Sequence, residues 1–376
     1  MSLVYPKMPN IEKRMLSRKY AEISIGLILI FALFSGCSES KTDPSTFHWI
    51  GLNEQTEFEI RAFPKNAQLD EARLKQLNQH IRVLTERGQK RCGNTRVTVI
   101  GDTRAAYDDL GVSIYFSEML AQMQTLNPDL VLHVGDLVKN GSRPQEWRRY
   151  LPTLPALTPL IAVRGNHDRG GYFYEWGFGV SEVFKLDFGP IRLFGLDSEG
   201  GTMAVASRLD ALERIMAEPT NLWKVVLLHR PIWSQGLHGS DEIDLNHRLI
   251  NLFDDYGVVL VLSGHDHNYE RFCPTRGTGL DRQCLGSNEG THYVVTGGGA
   301  TMPNPIPTFW RGWTDPAALK LSETSIMFTG DLHFIELDVT QSRFVYRAHK
   351  SHLDGFRNGL SVMDAFEVHR EPRPCP

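Results

Sequence analysis

No stretch of the sequence reaches the roughly 20 consecutive apolar residues that carry a helix across a bilayer. The longest candidate, Ile23 to Phe34, falls well short of that, so a permanent transmembrane helix is the weaker reading. Internal repeats and low-complexity tracts are missing too, and with 41% apolar and 22% charged residues the chain is neither disordered nor fibrous. Charge of one sign is scarce: a formal net charge of −4, with both signs interspersed, leaves no basic face. That argues against a general nucleic-acid or anionic-membrane surface and favours a small or moderate substrate. There are only five cysteines, none at metal-ligand spacing. The 376 residues fit one large α/β domain or two ordinary ones.

The amino terminus is informative. Lys13, Arg14, Arg18 and Lys19 precede the apolar run, and Ser35-Gly36-Cys37 follows it. This is the order of an export signal: charged region, short apolar region, small residues. Leu33-Phe34-Ser35-Gly36-Cys37 resembles a bacterial lipoprotein cleavage box, with Phe34 where such boxes usually carry Leu. The expected organisation is a lipoprotein-type signal peptide over 1–36, a polar tether over 37–46, a covering segment over 47–95, a catalytic-size domain over 96–370 and a tail over 371–376. The mature protein is then expected in the cell envelope, on the outer-membrane or periplasmic side of a two-membrane host, touching the membrane only through a lipid on Cys37. In the covering segment Leu74, Leu77, Ile81 and Leu84 recur at helical spacing, predicting a helix from Leu69 to Arg87. With Cys37 lipidated, Cys92, Cys273, Cys284 and Cys375 remain, and an even number in an exported chain suggests disulfides. Cys273 with Cys284 closes a short loop, whereas Cys92 with Cys375 would join the two ends of the domain.

From Arg96 onward short β-rich runs alternate with helical stretches. Strands are predicted at Val97 to Ile100, Leu130 to Val134, Leu160 to Val163, Val183 to Phe188, Ile191 to Leu196, Val225 to Leu228 and Val258 to Leu262. Helices are predicted at Ser113 to Gln124, Ala206 to Ala217 and Asp244 to Tyr256. Tyr293 to Thr296, His333 to Val339, Phe344 to His349 and Met363 to Val368 form an antiparallel end. The pattern is that of layered α/β sheets.

Five motifs each follow a predicted strand, where α/β sheets place their active-site loops. They are Gly101-Asp102-Thr103-Arg104, Gly135-Asp136-Leu137-Val138, Gly165-Asn166-His167-Asp168, Leu228-His229-Arg230-Pro231 and Gly264-His265-Asp266-His267-Asn268-Tyr269-Glu270-Arg271. Each glycine allows a sharp turn and close approach, and the residue after it offers an oxygen or an imidazole nitrogen. Any one of these is an ordinary turn or cap. Together they supply carboxylates, an amide oxygen and imidazoles, a mixed set suited to Zn, Fe or Mn.

In this order and spacing the motifs resemble the calcineurin-like metallophosphoesterases over roughly Arg96 to Gly299. With Thr296-Gly297-Gly298-Gly299 behind it, the run from Gly264 to Arg271 is closest to the purple acid phosphatase branch. The resemblance implies a four-layer α/β/β/α sandwich and two divalent or trivalent metal ions. Asp102 and His267 match ligands of the first ion, Asp136 matches the bridging carboxylate, and Asn166, His229 and His265 match ligands of the second. Such a pair shares a hydroxide that attacks a phosphate ester in line. His167 matches a non-ligand histidine that protonates the leaving group, and His238 falls where that branch carries a substrate-facing histidine. Asp168 is a candidate to orient His167, or else a solvated turn residue.

Two positions depart from the family. Arg104 stands where many relatives carry a histidine, and Lys139 where purple acid phosphatases carry a tyrosine. The first ion is thus left with three protein ligands, and an iron-tyrosinate chromophore is not expected. A guanidinium at position 104 cannot be a ligand. It would repel a metal and attract phosphate, unless it pairs with Asp108 or Asp109. Arg271 is expected to pair with Glu270 or Asp266. Tyr172, Phe173, Tyr174, Trp176, Trp310 and Trp313 are candidates for a lid, with packing as the alternative. The leading activity is phosphomonoester hydrolysis outside the cytoplasm, followed by phosphodiester hydrolysis. A non-catalytic envelope scaffold is the reading from another class, disfavoured because a scaffold has no need of six ligands.

Overall fold

The computed structural model describes residues 93–105, 113, 115–150, 160–170, 182–240, 246–278, 283–301, 323–351 and 360–372, together with the backbone of 48–52 and 58–62. Contacts divide the chain into Met1–Thr42, which lies outside the described residues, and Asp43–Pro376, which holds all of them. Several expectations therefore fall outside the described residues. These are the signal segment, the whole tether with Cys37, the helix from Leu69 to Arg87, Cys92, Cys375, Asp108, Asp109, and the aromatics between Tyr172 and Trp176 and at Trp310 and Trp313.

The described elements form a short antiparallel pair and two large sheets. The pair joins β1 (His48–Leu52) to β2 (Phe58–Ala62). The six-stranded sheet uses β3 (Thr95–Ile100), β4 (Leu130–His133), β5 (Leu160–Ala162), β13 (His333–Val339), β14 (Arg343–Lys350) and β15 (Ser361–His369). Its order is β15-β14-β13-β3-β4-β5, parallel from β3 to β5 and antiparallel elsewhere. The seven-stranded sheet uses β6 (Val183–Phe188), β7 (Ile191–Leu196), β8 (Trp223–Leu227), β9 (Leu260–Ser263), β10 (Tyr269–Phe272), β11 (His292–Thr296) and β12 (Ser325–Thr329). Its order is β12-β10-β11-β9-β8-β7-β6, with β7, β8, β9 and β11 parallel. Strands Val183–Phe188, Ile191–Leu196 and His333–Val339 fall where the sequence puts them.

Side chains alternate across each strand, and that alternation builds the layers. Val225 and Leu227 of β8 join Leu193, Leu260 and Leu262 in one core with Val99, Leu132 and Ile335 of the other sheet. Their neighbours Phe194, Val226 and Val261 point the other way, into a second core with Leu209, Leu212, Leu249 and Phe253. Those four lie on α3 (Thr202–Met216) and α4 (Asn246–Asp255), which cover the outer face of the seven-stranded sheet. On the six-stranded sheet, Phe116 of α1 (Phe116–Gln124) stacks 5.2 Å from Tyr150 of α2 (Pro144–Tyr150) and stands edge-on to His133 at 6.5 Å. The helix, sheet, sheet, helix order matches the four-layer expectation. Each fully buried Leu or Phe contributes about 1.5–3 kcal/mol.

The differences from expectation have local causes. Helix α1 begins at Phe116, and the Ser113 hydroxyl ahead of it donates to the Ala300 carbonyl at 2.6 Å while accepting the Tyr115 N–H at 3.2 Å. Helix α3 begins at Thr202, after Gly201 takes φ 80° and its carbonyl accepts the Val205 N–H at 3.1 Å. Strand β10 hides in the sequence because Glu270 and Arg271 are charged. Both are buried and paired: Glu270 accepts from Gln235 and Ser325, and Arg271 grips Asp364 of β15 through two bonds of 2.5 and 2.6 Å. The expected partners of Arg271, Glu270 and Asp266, are not the ones it takes. Cys273 and Cys284 are joined as a disulfide, with Cα atoms 5.4 Å apart. Among the described residues no helix is long and apolar enough to cross a membrane.

Candidate metal centre

The five motifs sit at the carboxyl ends of β3, β4, β5, β8 and β9, so loops from both sheets meet at one place. Asp102, Asp136 and His265 hold positive φ angles of 53°, 57° and 72°. Non-glycine residues rarely adopt this conformation, which turns each side chain out of its strand direction. Two glycines permit the close packing: a Cβ on Gly165 would lie 2.2 Å from Oδ1 of Asp136, and one on Gly264 would lie 2.4 Å from Oδ2 of Asp102.

Donor atoms of Asp102, Asp136 and His229 converge within 4.8 Å of one another, and all three residues are buried. The Nδ1–H of His229 donates to the Val134 carbonyl at 2.8 Å, which fixes the ring and turns Nε2 into the cluster. That nitrogen faces Oδ1 of Asn166 at 3.1 Å and Oδ1 of Asp136 at 3.5 Å. A cation bound there would be met by a nitrogen and two oxygens. Oδ1 of Asp102 is buried with no hydrogen-bond donor among the described residues, 3.6 Å from Nε2 of His267. The other Asp102 oxygen accepts the His265 N–H at 3.1 Å. The donor set thus fits a metal centre by its orphaned buried oxygen, its fixed ring and its mix of O and N atoms. Of the six expected ligands, Asp102, Asp136 and His229 form the converging group, with Asn166 3.1 Å from His229, His267 3.6 Å from Asp102 and the His265 ring 5.1 Å from that of His229.

Electrostatics point the same way. Burial, and then the Asp136 charge, push the Asp102 carboxyl well above its ordinary range. Burial acts on Asp136 in the same direction, but His229, His167 and Arg104 outweigh it and hold that carboxyl at about 2. Burial, followed by Arg104, lowers His267 to about 4, and burial with His229 depresses His265. Neutral imidazoles beside an ionised carboxylate are the protonation states that bind cations.

Around this set, His167 donates Nδ1–H to the Lys139 carbonyl at 2.8 Å and directs Nε2 to within 4.0 Å of Oδ2 of Asp136. Lys139 thereby contributes its backbone to the site. Asp168 is fully buried, not a solvated turn residue, and it does not orient His167. It accepts the N–H groups of Asp136, Leu137, Val138 and Gly165 at 2.8–3.2 Å. His238 is exposed and lies against His265, with ring centroids 4.0 Å apart and the planes tilted by 31°. Its N–H donates to Asp266 at 2.8 Å. Arg104 turns inward, donating Nε–H to Oδ2 of Asp136 at 3.2 Å and an Nη2 proton to Nε2 of His267 at 3.3 Å.

Sequence reasoning missed Glu199. It is fully buried and accepts from Arg230 at 2.9 and 3.3 Å and from Arg169 at 2.8 Å, while Nη1 of Arg230 lies 3.4 Å from Nε2 of His265. Next to it, the Ser198 hydroxyl oxygen accepts the N–H groups of His229 and Arg230 at 3.2 and 2.9 Å. The available signal was Asp197-Ser198-Glu199 directly after β7, a sixth polar loop at a strand end.

Residues 95–269 match the calcineurin-like phosphoesterase family. A probable inactive purple acid phosphatase of Arabidopsis thaliana is 25% identical over 289 residues, 65% of this chain and 44% of the relative. The chain therefore spans under half the length of that relative. A nucleotide pyrophosphatase/phosphodiesterase of Hordeum vulgare is 24% identical over 66% of this chain and 73% of its own length. Among solved structures, a purple acid phosphatase from yellow lupin (Lupinus luteus) seeds superposes with a TM-score of 0.57 at 21% identity, covering 84% of this chain and 57% of that one. The last likeness shows the fold.

Proposed function

We propose, from a match to the calcineurin-like phosphoesterase family and a candidate metal-holding group, that the chain is a metal-dependent phosphoester hydrolase acting on monoesters outside the cytoplasm. The observation that carries this reading is the meeting of His229, Asn166 and Asp136 beside the orphaned oxygen of Asp102. Cations bound there would neutralise a phosphate and activate water near neutral pH.

The residues of the chain divide the remaining work. Asp136 uses Oδ1 on the side of His229 and Oδ2 on the side of Arg104, so one carboxylate serves both halves of the centre. His167, anchored through Nδ1, keeps Nε2 directed at the site and delivers a proton to the departing alcohol. His238, exposed on the face of His265, contacts the substrate beyond the phosphate. Glu199 clamps Arg230 beside His265 and holds that imidazole in place.

The name of the barley relative supports a second reading, hydrolysis of diesters or pyrophosphates on the same centre. Some relatives are named inactive, and the retained donor set supports an enzyme here. Export and anchoring through a lipid on Cys37 complete the proposal and rest on the basic-apolar-small order of residues 13–37. The deciding assay supplies the purified protein, with Zn, Mn or Fe and without added metal, with an aryl phosphate monoester and its matched diester. Metal-dependent turnover favouring the monoester is expected. Failure to turn over either ester with any ion bound would sink the enzyme reading.

A further inference from the structure

The resemblance implies two ions, yet the two halves of the centre are not alike. On one side, Nε2 of His229 faces Oδ1 of Asn166 and Oδ1 of Asp136. Among the described residues the guanidinium close by is that of Arg230, which is neutralised by the buried Glu199 and reaches Nε2 of His265 only at 3.4 Å, leaving Asp136, Asn166 and His229 untouched. On the other side, Arg104 already occupies two of the three acceptors, and Oδ1 of Asp102 stays without a donor among the described residues. Its side chain is only 14% exposed, and Nε and Nη2 take Oδ2 of Asp136 and Nε2 of His267.

A guanidinium carries donors only and stays protonated throughout the accessible pH range. The contact to His267 therefore uses the single imidazole lone pair that an ion there would need, and a fixed positive charge adjoins Oδ2 of Asp136 at the same spot. An ion on that side must displace Arg104 from His267 and then sit beside its charge.

We propose that Arg104 is the resident cation of this half, so that the centre takes a single metal ion, held by Asp136, Asn166, His229 and His265, and meets phosphate with one ion and one guanidinium. The proposal rests on the metal-dependent reading above and concerns only how many ions bind and where.

The test is a metal count rather than an activity. The full chain would be stripped with chelator, reloaded with excess Zn or Mn and desalted, and ions per chain measured by mass spectrometry, with circular dichroism to verify folding. The unmodified chain is expected to retain one ion. Arg104→His, which replaces the fixed charge with a lone pair, is expected to retain two, as is Arg104→Ala. His267→Ala should still hold one ion, and Asn166→Ala should hold at least tenfold less. Two ions on the unmodified chain would overturn the proposal and leave the hydrolase reading standing. A count of one in both Arg104 variants would also overturn it. No ion on a folded, unmodified chain would overturn both.

Discussion

The carboxylate of Asp168 accepts the backbone N–H of Asp136 at 2.8 Å, so one buried acid fixes the loop that carries another. The N–H groups of Leu137, Val138 and Gly165 end on the same carboxylate. Burial and the Asp136 charge push the Asp168 pKa up, while the N–H donors pull it down. Asp168→Ala leaves these donors buried and unmatched, at about 1–3 kcal/mol for each group that water cannot reach. A loss of about 3 kcal/mol or more in denaturant unfolding is expected, with Asp168→Asn in between. A loss under about 1 kcal/mol would contradict the role.

His167 is expected to separate from the metal donors by its phenotype. Because Nδ1 is held by Lys139 and Nε2 points at Asp136 without closing on it, His167→Ala should lower kcat by about 100- to 10,000-fold. The bound metal should stay within the error of the unmodified protein. Asp136→Ala should lose metal and activity together.

The acid stability of the metal-free protein has a definite sign. Burial lowers His333 and His292 from an ordinary 6.5 to about 4 in the fold. The unfolded chain takes up protons first, so the stability from these neutral rings is complete above pH 6.5 and falls as pH drops toward 4. For a site as buried as His333 the loss is of the order of 3 kcal/mol. Glu270 opposes this: burial raises it from 4.5 to about 7, so its contribution falls as pH rises across that window. Urea unfolding at a series of pH values is expected to show a shallower acid slope in His333→Asn and a steeper one in Glu270→Gln.

The bond between Cys273 and Cys284 closes a loop of sequence separation 11. Under the chain-entropy account, Cys273→Ser with Cys284→Ser costs about 3 kcal/mol. Thiol titration of the unmodified protein, purified without reductant, should find neither sulfur free, and equal stability of the double variant would remove the cross-link from the account.

Cys37→Ser is expected to move the protein from the membrane fraction to the soluble fraction of the producing cell. Unchanged fractionation would overturn lipidation at that residue.

Much of the fold was legible because apolar alternation names strands without tertiary knowledge, as at Val183–Phe188 and Ile191–Leu196. The candidate metal donors were legible because each follows a strand through a glycine or a short turn. What remained hidden was side-chain direction. Nothing local says that Arg104 reaches Asp136 and His267, or that Asp168 turns inward to four N–H groups instead of toward His167. Those outcomes depend on loops 30 to 160 positions apart in the chain meeting at one level. Charged strands such as Tyr269–Phe272 are hidden for a related reason, since the partner that neutralises Arg271 lies on β15.

Asp102, Asp136 and His265 all hold left-handed backbone, at a cost of roughly 1–2 kcal/mol for an ordinary residue. Selection for heat resistance alone would therefore reward glycine at these positions, relaxing the backbone while removing the candidate ligands. A library screened by melting temperature, without a metal or turnover gate, would drift toward hardier proteins that had lost the centre. The ligand loops of this fold are places where sturdiness and usefulness pull in opposite directions.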